Sequence, residues 1–87
     1  DKDQVYFFNY DRKKEQLVLL HNLRLKNSVV AQAIQRFYAI HSTHPTDVLL
    51  DAHGLTIFGP YDLIYGYPQI RLSLNELQIK NIQKLLN

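Results

Sequence analysis

Eighty-seven residues, 46% of them hydrophobic and 21% charged, read as a single small globular domain with apolar mass for one core, which excludes a disordered chain and leaves no room for a second core. The absence of cysteine excludes disulfides and thiolate metal sites and points to a reducing, cytoplasmic setting. A net charge of +2 is too mild to announce nucleic acid, no apolar run approaches the roughly 18–20 residues of a membrane span, and no signal-peptide pattern is present in these residues.

Gln4 to Tyr10 is rich in aromatic and β-branched types, and period two puts Tyr6, Phe8 and Tyr10 on one face of a strand with Val5 and Phe7 on the other. Asp11 to Glu15 is a polar link of hairpin length. Gln16 to Lys26 then alternates again, with Leu17, Leu19, His21, Leu23 and Leu25 on one face. This predicts a second strand with His21 on its apolar side and a bulge near His21-Asn22.

Ser28 to His41 predicts an amphipathic helix, the element around which the rest is organised. Val30, Ile34, Phe37 and His41 recur at helical spacing beside Val29, Ala33 and Ile40, while Gln32, Gln35 and Arg36 fall opposite. Asn27 and Ser28 can each cap its start. Its end is expected near Ser42, because Pro45 drives His44 out of the helical region.

Asp47 to Asp51 and Leu55 to Phe58 predict a hairpin around Asp51-Ala52-His53-Gly54, with Asp as a side-chain acceptor at the first position and Gly at the last. Tyr61 to Pro68 reads as a structured loop holding three tyrosines. Gln69 to Leu72 adds a short strand with Ile70 and Leu72 inward. Ser73-Leu-Asn-Glu76 then has the spacing of a capping box, opening a second helix whose stripe is Leu74, Leu77, Ile82, Leu85 and Leu86. The order β-β-α-β-β-(β)-α implies an α+β fold, with a mainly antiparallel sheet of four to five strands and two helices on one face. Because the sequence starts at Asp1 and not at Met, it can also be read as a piece of a longer protein.

No residue set names a reaction or implies a cofactor, and the residues point away from an enzyme. Ser28, Ser42 and Ser73 are accounted for by caps and turns, and there is no G-x-S-x-G turn. His41, His44, Asp47, Asp51 and His53 are the one cluster of metal-ligand types, a candidate for metal binding or hydrolysis. Its spacing departs from the i, i+4 His pair that places both imidazoles on one helix face. A nucleic-acid surface would use Arg12, Lys13, Lys14, Arg24 and Lys26 to neutralise phosphates and Tyr6 and Tyr10 to stack bases.

The preferred expectation is a non-enzymatic protein-interaction or regulatory domain. Tyr61, Tyr65 and Tyr67 would supply the partner-binding contacts, since tyrosine combines large area with few rotamers and a polar tip, and a sheet edge or face would add to them. The partner would be another protein or a second copy in a homodimer. Charge is separated along the chain: Arg12 to Arg36 holds six basic residues against Glu15 alone, whereas Asp47, Asp51 and Asp62 lie in a stretch without Lys or Arg. Such polarity would assist either contact.

Overall fold

A computed structural model describes residues 10–11 and 16–86, with side chains from Val18 onward. The described chain is α+β, in the order β1 (Tyr10–Asp11), β2 (Gln16–Leu17), α1 (Leu20–Lys26), α2 (Ser28–His41), β3 (Asp47–Asp51), β4 (Gly54–Phe58), β5 (Gln69–Ser73), α3 (Leu74–Leu77) and α4 (Gln83–Leu86). β1 and β2 form a separate antiparallel ribbon, and β3, β4 and β5 form an antiparallel sheet with β4 at its centre. The expected sheet of four to five strands with two helices is therefore corrected, among the described residues, to a sheet of three strands, a two-stranded ribbon and four helices. The expected strand at Gln4 to Tyr10 lies outside the described residues except for Tyr10, as do Arg12 to Glu15 of the link.

The largest departure is at α1. Residues 20–26 are helical, not extended, and there is no bulge at His21-Asn22. Leu17, Leu19, Leu23 and Leu25 keep an even spacing, but Leu20, off that pattern, stands three residues before Leu23, and this i, i+3 pair reaches the core. From Leu19 to Lys26 no residue is β-branched or aromatic, and Leu, Arg and Lys are good helix formers. His21 consequently stands exposed on a helix surface.

Asn27 is shared between the two helices. Its backbone is extended (φ −136°, ψ 119°), its N–H closes α1 onto the Leu23 carbonyl, and its Oδ1 accepts from the N–H groups of Val29 (2.9 Å) and Val30 (3.2 Å). Such a cap contributes about 1 kcal/mol. α2 then buries Val30, Ala33 and Phe37 and ends at Ser42 in a left-handed turn (φ 57°). His41 and Ile40, assigned by periodicity to the apolar side, are both exposed.

The sheet buries one face against the helices. Val48, Leu55, Ile57 and Leu72 join Leu20, Leu23, Val30, Ala33, Phe37, Leu77 and Leu85 in one cluster. Ser73 and Glu76 make the expected reciprocal cap, 3.1 Å from the Glu76 N–H to Ser73 Oγ and 2.9 Å from the Ser73 N–H to Glu76 Oε1. The helix it opens stops after one turn, because Gln78 turns left-handed (φ 61°) and the Ile79 N–H returns to the Leu74 carbonyl. This break lets Leu77 and Leu85 enter the core from two short helices, with Ile79 and Ile82 packed against its edge. No helix among the described residues is long and apolar enough to cross a membrane.

Candidate interaction surface

β4 must connect to β5 across its own end, and Gly59 to Pro68 makes that connection. At the base the Gly59 N–H donates to the Pro68 carbonyl (2.9 Å). Gly59 has little room for a side chain, since a Cβ there would lie 2.8 Å from Phe37 Cζ and 3.0 Å from Pro68 Cγ. At the tip Asp62 and Gly66 exchange two backbone hydrogen bonds, 2.7 Å and 2.8 Å, and Gly66 adopts φ 79°. Asp62 Oδ1 accepts from the N–H groups of Ile64 (2.7 Å) and Tyr65 (2.9 Å), which holds its carboxyl below the usual carboxylate range.

The turn closes on its own hydrogen bonds through the Asp62, Ile64, Tyr65 and Gly66 N–H groups and sends its side chains outward. Leu63 is 92% exposed, Tyr65 85% and Ile64 81%. Tyr61 and Tyr67 root the turn: their rings meet edge-on at 5.1 Å, and Tyr67 stands edge-on to Phe58 at 6.2 Å. The three tyrosines thus divide, with Tyr61 and Tyr67 paired at the base and Tyr65 at the tip. Beside them lies an open cleft of about 730 Å³, bounded on the α2 side by Ile40, His41 and Thr43 and on the loop side by Pro60, Tyr61 and Tyr65. Leu63, Ile64 and Ile40 were not among the sequence candidates. The available signal was Asp62 with Gly66 four residues later, a spacing that can close a tight turn.

Four of the five metal-type residues have side-chain contacts elsewhere. The His41 ring lies 4.6 Å from that of Phe37, and His44 stacks on Tyr38 at 4.4 Å. Thr46 Oγ1 donates to Asp47 Oδ2 (2.9 Å). Asp51 receives both Arg71 guanidinium nitrogens at 2.8 Å, and Arg71 also donates to Thr56 Oγ1 (3.0 Å), linking all three strands on the face away from the helices. Arg71 lowers the Asp51 carboxyl to about 2, against the opposing effect of partial burial and with help from the His53 N–H. His53 sits at the β3–β4 turn. Among the described residues no three His, Cys, Asp or Glu side chains are grouped to hold a metal ion.

Of the basic candidates, Arg24 and Lys26 are exposed on α1. Arg24 Nη2 meets His21 Nδ1 at 3.2 Å, and Lys26 Nζ reaches the Leu86 carbonyl at 3.4 Å. Arg12, Lys13, Lys14 and Tyr6 lie outside the described residues, and Tyr10 belongs to β1. Comparison with known proteins finds no matching family model, no matching curated protein and no matching solved structure.

Proposed function

We propose that this chain is a non-enzymatic protein-interaction domain whose contact surface is the turn 62–66 together with the cleft beside it. One observation carries the reading: Leu63, Ile64 and Tyr65 are held in water by a turn whose backbone is already hydrogen-bonded. Large apolar side chains grouped outside the core add nothing to folding and mark a binding surface. A pre-formed turn also lowers the ordering entropy that a flexible loop would lose on binding. Tyr65 and Tyr61 are of the type that anchors interface centres. β5 begins directly after the loop and is an outer strand of the sheet, so a partner held at the turn could extend its contact along that edge.

The test places a photo-crosslinking amino acid at Leu63 and, as a control, at exposed Lys80, in cells that express the protein. The expected result is a protein adduct specific to position 63. Adding Ile64→Asp and Tyr65→Asp to the chain that carries the probe at position 63 should abolish it. Adducts shared with position 80, or undiminished by the two substitutions, would contradict the proposal.

A further inference from the structure

The turn 62–66 and the cleft beside it lie side by side on one molecule, and we infer that the occupant of this surface is a second copy of the same chain. The inference rests on reading the loop as a contact surface and names its partner. In a two-fold dimer each turn projects into the other copy's cleft, so that one patch serves both copies and the two turn–cleft contacts are equivalent.

Area supports the pairing. Ile40 is 61% and Tyr61 58% exposed. With about 200 Å² for a fully exposed large side chain, Ile40, Tyr61, Leu63, Ile64 and Tyr65 together offer about 750 Å². A standard interface uses about 800 Å² from each partner.

Charge supports it too. No Lys or Arg occurs between Arg36 and Arg71, so apposed copies bring no Lys or Arg of this segment together, and His41 is the one imidazole on the cleft wall. Asp62, the acidic residue of the turn, points its carboxylate at the turn's own N–H groups. Like charges across an interface would oppose self-association, and this surface has little to oppose it. A strongly charged partner, conversely, would find little here to pair with.

The test is sedimentation equilibrium of the full chain from about 1 to about 500 μM, a range that brackets micromolar dissociation constants. The expected result is a reversible monomer–dimer equilibrium in which Leu63→Glu with Ile64→Glu raises Kd by about 100-fold or more. Circular dichroism of the variant should match the wild type. Since the chain has no cysteine, mixing an Ile40→Cys chain with an Ile64→Cys chain and oxidising gently should give a disulfide-linked heterodimer. Monomer mass throughout the range overturns the inference, as does a dimer indifferent to the two Glu substitutions. If the chain is monomeric but the position 63 adduct still forms and is still lost with Ile64→Asp and Tyr65→Asp, the surface serves an unlike protein and only the second copy is wrong. If neither dimer nor adduct forms, both readings fail.

Discussion

Phe37→Ala is expected to lower stability by about 3–5 kcal/mol, the cost of deleting a buried aromatic ring and leaving a cavity. The ring is fully buried at the centre of α2's inner face, where it meets Val30 and Ala33 of the same helix in the cluster that includes Leu55 and Ile57 of the sheet. Its far edge lies against the bare α-carbon of Gly59, where even one methyl group would be too close. That contact ties the helix to the base of the connection bearing Tyr61 to Tyr67. For a chain of this length, with about 5–10 kcal/mol of total stability, the variant should melt about 15 °C or more below the wild type. Calorimetry measures this directly, and a fall of only a few degrees would show that the ring is not central to the packing.

Gly54→Val is expected to cost about 3 kcal/mol or more, for a different reason. Gly54 closes the β3–β4 hairpin opposite Asp51 and pairs with Ser73 on the other side, at φ 154°. A Cβ placed on it would run into the Leu72 carbonyl oxygen of β5. That oxygen belongs to a neighbouring strand and cannot rotate away like a flexible side chain, so β4 and β5 would have to part. Backbone strain and overpacking each contribute about 1–3 kcal/mol. Gly66→Ala is the informative control. Gly66 is also at positive φ, but a Cβ there meets nothing within 4 Å, leaving a left-handed penalty of about 1–2 kcal/mol. Urea midpoints should therefore fall in the order wild type, Gly66→Ala, Gly54→Val. Equal effects at the two glycines would mean that the approach of β5 is not what requires Gly54.

The parts of the fold legible in the sequence are those where local chemistry and tertiary packing agree. A cap at Asn27 or Ser28 was readable because both side chains can accept from free N–H groups ahead of an apolar 3.6-residue period, and Asn27 is the one that does so. Ser73 and Glu76 were readable for the same reason. Asp51 to Gly54 was readable because the turn needs an acceptor first and a glycine last, and both needs are seen, in the 2.7 Å bond from the His53 N–H to Asp51 Oδ1 and in the crowding over Gly54.

Residues 20–26 were not legible, since Leu17, Leu19, Leu23 and Leu25 fit a strand period while Leu20 and Leu23 form an i, i+3 helix pair, and only packing against α2 decides between them. Gln78 was hidden in another way. Left-handed helix ends favour glycine, and glutamine in an apolar helical pattern gives no sign that the chain will stop. At the surface, the tyrosines drew attention to the loop but not to how exposure is divided within it. Tyr67 stands on Phe58, while Leu63 and Ile64, which alone look like core residues, are thrown outward by the hydrogen bonds Asp62 makes. Exposure of an apolar residue is a property of the closed turn and not of the residue, so composition could not show it.

The most direct measurement on the central claim, that Leu63, Ile64 and Tyr65 are presented by a pre-formed turn, is amide hydrogen exchange followed by NMR in the free, dilute chain. The Asp62, Ile64, Tyr65 and Gly66 amides all have partners within the turn. They should exchange at least about tenfold more slowly than in an unstructured peptide, an opening free energy of about 1.4 kcal/mol or more. Exchange of all four at the unstructured rate would mean that the turn does not hold its own shape, and the loop would then be a tether and not a contact surface.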